Sequence, residues 1–413
     1  RAGSLQSEFG ENSEAIFLTS SYVFDSSAQA AARFAGTEPG NIYSRIMNPT
    51  NDVLEQRIAA MEGGVAALCM ASGMAAITAS IQTLCRSGDN MVSVSQLYGG
   101  SYNLFAHTLP QQGIEVRMAS GDDIDALEAL IDENTRAVFC ESIGNPAGNV
   151  VDIAALSEMA HRHGVPVIVD NTVATPYLCR PFEHGADIVV HSLTKYIGGH
   201  GTTIGGIIVD SGTFAYKDNP RFAQFNTPDP SYHGVTYADD FDAPFIGRAR
   251  VVPLRSMGGA LSPFNAFLIL QGLETLALRM DRHVENAVAV ANYLQDHDAV
   301  SWVKYAGLAD DKYNQLAQRM CSGKASSIVS FGIKGGEVAG GKFIDALGMI
   351  KRLVNIGDAK SLACHPASTT HRQLNEEELA HAGVSSDLVR LSVGIEHIDD
   401  ILADIEQAIA AAN

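Results

Sequence analysis

The chain has 413 residues, enough for about two or three domains of ordinary size with a large hydrophobic core. Hydrophobic residues make up 46% of it and charged residues 18%, a balance typical of a globular protein and not of a disordered one. The formal net charge of −19 argues against a nucleic-acid partner, because no basic stripe is available to neutralise phosphates.

Membrane association and secretion are not expected either. No apolar run reaches the roughly 18 residues that span a bilayer, and the N-terminus lacks the apolar region of a signal peptide. The 6 cysteines are scattered and contain no CxxC pair. We therefore expect a reduced, cytoplasmic protein without a disulfide framework.

The first half of the chain predicts an arm followed by a layered domain. Residues 1–48 are rich in Ser, Ala, Asn and Gly and have weak periodicity, which favours an extended arm. Thr50 is predicted to cap the next helix, which runs to about Met61. Short apolar strands then alternate with amphipathic helices, which predicts a mainly parallel sheet covered on both faces. The predicted strands are Ala66–Met70, Met91–Val94, Ile114–Arg117, Ala137–Glu141, Val167–Asp170, Ile188–His191 and Ile204–Val209.

The second half departs from this alternation. Residues 211–252 place a series of aromatic side chains among Pro and Asp, either to pack on a neighbour or over the site, or as an ordinary large loop. A long helical stretch, Asn265–Leu294, follows, and strands near Ile328–Ile333 and Leu388–Val393 precede a closing helix, Ile398–Ala412. The sequence thus predicts an arm at residues 1–48, a large domain at residues 49–260 and an α+β domain at residues 261–413.

One lysine stands directly after a buried strand. The apolar run Ile188–Val190 leads into Ser-Leu-Thr, and Lys195 follows. A partly desolvated amine is easily neutral and nucleophilic, which suits a Schiff-base lysine, although a loop lysine can equally extend to solvent. Asp170 ends the preceding strand, where its carboxylate needs a metal, a helix N-terminus or a protonated ring nitrogen, or else caps the next turn. Asp170 and Lys195 are separated by one crossover and one strand. This spacing is typical of fold-type I pyridoxal 5′-phosphate (PLP) enzymes.

Four residues suggest an anion site at the ends of neighbouring strands. Gly73 and Met74 lie at a strand-to-helix turn, where glycine allows close approach and the first helix amides can hold a phosphate. Many strand-to-helix turns look alike, so this signal is weak alone. The hydroxyls of Ser192 and Thr194 could donate to the same phosphate, which strengthens it.

Two further strand ends carry residues that suit a planar ligand. Tyr98 follows a strand and precedes Gly-Gly-Ser, so its ring could stack on a cofactor or simply pack as a turn tyrosine. Asn145 lies at another strand end, where its amide could bond the phenolic oxygen of the cofactor.

Competing sites do not satisfy their own chemistry. Gly336–Lys342 is close to a P-loop, but Phe343 stands where Ser or Thr would bind magnesium. Gly199–Gly205 does not have the GxGxxG pattern of a dinucleotide site. His161 and His163 fit cations at a helix C-terminus better than zinc ligands, so no metal site is predicted.

Three motifs together resemble the Cys/Met-metabolism family of PLP-dependent enzymes: Ser192–His200, Val169–Thr172 and Tyr43–Thr50. The resemblance covers essentially the whole chain. It implies an α/β protein of fold-type I, with a mainly parallel seven-stranded sheet domain, a smaller C-terminal α+β domain and an extended N-terminal arm. Within the family, the O-acetylhomoserine sulfhydrylase branch is the most similar, on Leu97–Phe105, Thr227–Gly234, Leu261–Ala266 and Asn355–Ser361. The O-succinylhomoserine sulfhydrylases are also similar around residues 19–24.

The resemblance implies catalytic and substrate roles at matching positions. Lys195 would carry the cofactor and move protons, and Asp170 would pair with the ring nitrogen. Tyr98 would stack on the ring and assist the proton transfers. Arg390 would bind the substrate carboxylate bidentately with Asn355 beside it, although a strand-end arginine can also be purely structural.

The resemblance also implies a shared phosphate site. Tyr43 and Arg45 would reach it from the neighbouring subunit, in a homotetramer built from dimers with shared active sites. This would explain a long arm that has no core of its own. Within the same subunit the phosphate would be held by Gly73, Met74, Ser192 and Thr194.

The implied activity is γ-replacement: O-acetyl-L-homoserine and sulfide would give L-homocysteine and acetate, a step of methionine biosynthesis. Four alternatives remain open: the same reaction on the succinyl ester, a cystathionine γ-synthase that uses cysteine, a methionine or cystathionine γ-lyase, and a catalytically retired binding subunit. Gly100 argues against a main lyase activity, because methionine γ-lyases have cysteine at this place.

Overall fold

The structure is a computed structural model that describes residues 1–369, 379 and 383–412. Within these residues the strands form one seven-stranded and one five-stranded sheet. The strands of the first sheet are β1 (Ala66–Met70), β2 (Asn90–Val94), β3 (Glu115–Ala119), β4 (Thr135–Glu141), β5 (Val167–Asp170), β6 (Ile188–Ser192) and β7 (Gly206–Asp210). Those of the second are β8 (Val300–Lys304), β9 (Ile328–Ile333), β10 (Lys351–Arg352), β11 (Leu362–Cys364) and β12 (Leu388–Ser392).

The α-helices fall into two groups along the chain. The first group is α1 (Ser27–Phe34), α2 (Pro49–Glu62), α3 (Gly73–Leu84), α4 (Gly99–Asn103), α5 (Leu109–Gln111), α6 (Ile124–Glu128), α7 (Ile153–Arg162) and α8 (Thr175–Leu178). The second is α9 (Ala223–Asn226), α10 (Tyr237–Asp240), α11 (Pro244–Ala249), α12 (Arg255–Met257), α13 (Pro263–Leu273), α14 (Leu276–Gln295), α15 (Asn314–Cys321), α16 (Gly336–Ala346) and α17 (Ile398–Ala412). Short 3₁₀ or π turns occupy Leu104–Thr108, Pro181–His184, Pro220–Phe222, Arg250–Leu254 and Pro366–Ser368.

The first sheet has the strand order β1-β7-β6-β5-β4-β2-β3. β7 runs antiparallel to β1 and β6, and the other neighbours are parallel. The predicted mainly parallel, seven-stranded sheet is therefore confirmed. Because β4, β5 and β6 run in the same direction, their carboxyl ends meet at one edge of the sheet.

Helices cover both faces of this sheet, as two adjacent residues at the end of β6 show. The buried His191 side chain lies 2.6 Å from Glu62, the last residue of α2. Ser192, the next residue, lies against Gly73 at the start of α3. Successive side chains of a strand point to opposite faces, so α2 and α3 lie on opposite sides of the sheet.

The predicted cap of α2 is wrong by two residues. Asn48 is the N-cap, and its side chain accepts the amide of Thr50 at 3.0 Å. Pro49 at the first helical position has no N–H to satisfy, which suits it for that place. The Thr50 hydroxyl instead binds the arm, donating to the carbonyl of Ala15 at 2.9 Å and accepting from the amide of Phe17 at 3.0 Å.

The predicted helical stretch over roughly Asn265–Leu294 is divided into two helices, since α13 ends at Leu273 and α14 begins at Leu276. The buried guanidinium of Arg279 donates to the carbonyl of Gly272 at 2.7 Å and to that of Tyr196 at 2.6 Å. These bonds fix the bend between the two helices and attach it to the loop that follows β6.

The arm has no buried residue between positions 1 and 47. Phe9, Leu18 and Val23 are 86%, 67% and 93% exposed. An ion pair between Glu14 and Arg57 of α2, at 2.5 Å, holds its first part. The arm therefore lies on the large domain without forming a core, as predicted.

The aromatic segment 211–252 builds core within this chain. Tyr216, Phe222, Phe225 and Phe245 are buried, and the rings of Tyr216 and Phe225 stack with centroids 4.4 Å apart. No aromatic residue of this segment lines the cavity at the carboxyl ends of the parallel strands. This cluster supports the interpretation as a large, ordered loop and not that of a cover over the site.

Two chemical expectations can be compared with the structure. All 6 cysteines are free thiols and all are buried, which agrees with the expected absence of disulfides. Among the helices of the described residues, none combines the length and the apolar character that crossing a membrane requires. The domain boundaries at 48/49 and 260/261 stay predictions.

Candidate active site

A cavity of about 220 Å³ lies beyond the carboxyl ends of β4, β5 and β6. Val354 and Ile356, in the connection between β10 and β11 of the second sheet, also line it. Further residues that line the cavity are Ser72, Ile77, Ile143, Thr172, Val173 and Ile204. Eight of the residues predicted from the sequence surround it: Gly73, Met74, Tyr98, Asn145, Asp170, Ser192, Thr194 and Lys195.

One end of the cavity has the features of an anion cradle. Ser72 caps α3 by accepting the amide of Ala75 at 3.1 Å, so the amides of the first helical turn point toward the cavity. A Cβ atom on Gly73 would lie 2.7 Å from Cβ of Ser192, so only glycine allows this close approach of α3 to β6. The Thr194 hydroxyl lies at the same end and accepts the amide of Gly205 at 3.1 Å.

Lys195 projects half-buried into the cavity, and its Nζ donates to Oδ1 of Asn355 at 2.5 Å. Burial, followed by the positive charge of Arg390, lowers the pKa of Lys195 to about 8. An amine with this pKa is partly neutral at mildly alkaline pH and can act as a nucleophile or base. Asn355 was predicted beside Arg390 only; the structure also places it on the lysine.

Two carboxyl groups lie side by side at the ends of β4 and β5. Asp170 accepts the amide of Thr172 at 2.9 Å, and burial raises the pKa of its carboxyl group. Glu141, which the sequence analysis did not assign, is 4% exposed and also lines the cavity. Burial and the neighbouring Asp170 raise the pKa of Glu141 as well.

Tyr98 stands at the cavity mouth with its ring 40% exposed. Its amide donates to Oε1 of Glu141 at 2.6 Å. A Cβ atom on Gly100 would lie 2.5 Å from Cε1 of the Tyr98 ring. A cysteine at position 100 would therefore force the ring to move. This gives a physical meaning to the glycine that this chain has where methionine γ-lyases have cysteine.

Arg390 on β12 is 2% exposed and lies behind Asn145 and Asn355. It donates to Oδ1 of Asn145 at 3.1 Å and to the carbonyl of Asn355 at 3.1 Å. Its buried Nε has no hydrogen-bond partner among the described residues. A buried guanidinium with an unsatisfied donor next to a cavity suits the recognition of a carboxylate.

Tyr43 and Arg45 do not line the cavity of their own chain. The Arg45 guanidinium lies 5.4 Å from the centroid of the Tyr43 ring and donates to the carbonyl of Arg255. Tyr43 is 41% exposed. Their assignment to a neighbouring subunit stays a prediction.

The residues missed by the sequence analysis differ in how they could have been found. Glu141 carries the same signal as Asp170, a carboxylate at the end of an apolar buried strand, and could have been found by it. The bond between Lys195 and Asn355 joins two distant parts of the chain, and no local pattern indicates it.

Comparison with known proteins agrees with this geometry. A model of the family described as "Cys/Met metabolism PLP-dependent enzyme" matches residues 1–410. Homocysteine synthase of Schizosaccharomyces pombe is 52% identical over 400 residues, which cover 96% of this chain and 93% of that protein. O-acetyl-L-homoserine sulfhydrylase of Leptospira meyeri is 50% identical over 404 residues, with coverages of 95% and 91%.

A solved structure is similar over nearly the whole chain. A Campylobacter jejuni protein named as an O-acetylhomoserine (thiol)-lyase superposes with a TM-score of 0.97 at 44% identity. The match covers 99% of this chain and 98% of that one. That crystal structure contains N′-pyridoxyl-lysine-5′-monophosphate, a lysine joined to the cofactor.

Proposed function

The chain belongs to the Cys/Met-metabolism family of PLP-dependent enzymes, and on this premise we propose that it catalyses γ-replacement on an activated homoserine. O-acetyl-L-homoserine and sulfide give L-homocysteine and acetate. The observation that carries the proposal is the presence of Lys195 and Asp170 in one cavity, with Arg390 bonded to Asn145 of the cavity wall, in a chain whose relatives are named for this chemistry.

The residues of the cavity fit PLP. The close approach of Gly73 to Ser192 leaves a cradle that a Cβ would fill, at the amides of a capped helix that suit the phosphate. Lys195 is the amine to which the cofactor would attach. Tyr98 would stack on its ring, the Asn145 amide would bond its phenolic oxygen, and Asp170 would pair with its ring nitrogen. Met74, Ser192 and Thr194 would complete the phosphate site.

PLP, when bound, supplies an electron sink that stabilises negative charge at the substrate Cα. The Asp170 carboxylate holds a proton on the ring nitrogen. Lys195 Nζ would remove the Cα proton of the substrate and release it to the bound cofactor before it takes a Cβ proton as acetate leaves Cγ. After HS⁻ adds at Cγ, the two proton transfers would run in reverse. The Arg390 guanidinium binds the substrate carboxylate, with Asn355 beside it, and so orients Cα toward Lys195.

The acetyl ester and sulfide are proposed from the relatives. Proteins named homocysteine synthase and O-acetyl-L-homoserine sulfhydrylase are about half identical to this chain over more than nine-tenths of their length. The position of the Tyr98 ring over Gly100 supports replacement over lyase chemistry, because the cysteine that methionine γ-lyases have at this place would displace the ring.

A substrate panel tests the proposal. Acetyl-, succinyl- and phospho-homoserine are each incubated with sulfide, with cysteine or without a nucleophile, and the products are quantified. We expect homocysteine to form fastest from the acetyl ester and sulfide. Cystathionine, or 2-oxobutyrate without a nucleophile, as the main product would contradict γ-replacement by sulfide, and a fastest reaction of the succinyl ester would contradict the ester assignment.

We further propose that the enzyme works in the cytoplasm as a homotetramer built from dimers with shared active sites. The exposed apolar side chains of the arm, at Phe9, Leu18 and Val23, support the partner contact. The buried free thiols support a reducing compartment.

A further inference from the structure

Glu141 and Asp170, which we call the carboxyl pair, are partners in the register of the parallel strands β4 and β5. Register partners on adjacent parallel strands lie side by side and project to the same face. Both residues end their strands and both line the cavity. The two carboxyl groups are therefore neighbours at the floor of the proposed cofactor site.

The Glu141 carboxyl group links two loops that carry proposed cofactor contacts. Its Oε1 accepts the amide of Tyr98, which follows β2, at 2.6 Å. Its Oε2 accepts the amide of Asn145, which follows β4, at 3.3 Å. One buried side chain thus fixes the backbone of the stacking ring and that of the phenolic-oxygen contact.

No cation compensates Glu141 within the part of the chain that the structure describes. Among the described residues, no lysine, arginine or histidine forms an ion pair with it, although it is 4% exposed. The surrounding charges act elsewhere: Lys195 bonds Asn355, Arg390 bonds the Asn145 side chain, and His191 lies on the other face of β6 against Glu62. Two adjacent buried carboxyl groups cannot both ionise at low cost, so one keeps its proton.

We propose that Glu141 is a positioning residue that works as a neutral carboxylic acid, holding the Tyr98 and Asn145 loops while Asp170 alone provides the negative charge for the ring nitrogen. The unequal distances to its two oxygens agree with this, because a protonated carboxyl oxygen is the weaker acceptor. The inference rests on the proposed cofactor contacts of Tyr98 and Asn145, and not on the choice of ester or nucleophile.

The test compares the holoenzyme variants Glu141→Gln and Glu141→Asp with the exposed control Glu158→Gln. Glutamine keeps the length and one acceptor and is neutral at every pH, whereas aspartate keeps the ionisable carboxyl group but is one methylene too short for both amides. We expect Glu141→Gln to bind PLP within about threefold of wild type, and the pH midpoint of the cofactor absorbance to stay within about 0.3 unit. Glu141→Asp should weaken PLP about tenfold or more, because both buried amides lose their acceptor.

An infrared difference spectrum, wild type minus Glu141→Gln at neutral pH, reads the proton directly and does not depend on the aspartate variant folding. A protonated-carboxyl band supports the proposal, and its absence overturns it. A fall of about one pH unit or more in the pH midpoint of the cofactor absorbance of Glu141→Gln would show that Glu141 is ionised in the wild type. This result would also overturn the proposal. An aspartate variant that binds PLP like wild type would remove the positioning role. A chain that passes these tests but forms no homocysteine would contradict the proposed function alone.

Discussion

The cavity and the N-terminal arm differ in where their side chains find contacts. The cavity is built from strand ends whose side chains contact one another inside the subunit, such as Lys195 with Asn355 and Tyr98 with Glu141. The arm carries Tyr43 and Arg45 on a surface that buries none of its own residues. Exposed apolar side chains accompany them, with Val23 at 93%.

This difference indicates that some functional groups are complete within one subunit and that others require the assembly. The groups proposed to move protons and bind the substrate carboxylate are complete within one chain. The proposed phosphate contacts are divided, with Gly73 and Ser192 on one subunit and Tyr43 and Arg45 on the next. Changes in the cavity should therefore affect chemistry within a subunit, and changes in the arm should affect cofactor retention in its neighbour.

Lys195→Ala should have the largest effect. Loss of both the attachment point and the proton-transfer group should lower turnover by about 10⁴-fold or more and remove the absorbance band of the lysine-bound cofactor. Stopped assays with O-acetylhomoserine and sulfide, together with absorbance spectra, measure both. The exposed Lys217→Ala is the control, and turnover retained in Lys195→Ala would remove this lysine from the chemistry.

Asp170→Asn should come next, with turnover lower by about 10²–10³-fold. The amide cannot hold a proton on the ring nitrogen as the carboxylate does, but it leaves the phosphate contacts intact, so PLP should remain bound. Activity and cofactor content are measured on the same preparation. Asp210→Asn changes a buried carboxyl group at the far end of β6 and β7 and should be nearly silent. Equal losses in the two variants would show a general packing effect.

Arg390→Lys should raise the KM for O-acetylhomoserine by about 30-fold and change kcat little, because the ammonium cannot replace a bidentate guanidinium fork. Initial rates over a wide range of ester concentrations separate the two constants. Arg352→Lys, at an exposed position of the same domain, is the matched control. A KM equal to that of wild type would place the substrate carboxylate elsewhere.

Arg45→Ala should have the smallest effect, weakening PLP about tenfold through the loss of one charge-assisted contact. The decisive test of the role of Arg45 is to mix subunits of two variants. If the arm completes the partner's site, unfolding and refolding equal amounts of Arg45→Ala and Lys195→Ala should give hybrid dimers with one intact site. At a PLP concentration that leaves Arg45→Ala alone nearly empty, the mixture should then show about a quarter of wild-type activity. Mixtures no more active than the sum of the separate variants would place Arg45 in the site of its own chain.

The sequence predicts most of the large domain because its signals are local. Apolar runs of strand length separated by amphipathic helices indicate a parallel sheet, and polar residues at the strand ends mark its ligand edge. Lys195 and Asp170 were found in this way. The differences come from contacts between distant segments: Thr50 bonds the arm while Asn48 caps the helix, and Arg279 fixes the bend that divides the predicted helical stretch.

Tertiary structure alone decides which distant groups meet. The register of β4 and β5 brings Glu141 beside Asp170, and the second sheet brings Asn355 and Arg390 to the lysine loop. These contacts depend on pairing between segments far apart in the chain, and periodicity within one segment carries no information on that pairing. The amino-acid sequence by itself therefore determined the strands, their polar ends and the family, whereas the neighbours that set the charge and position of each group came only from folding.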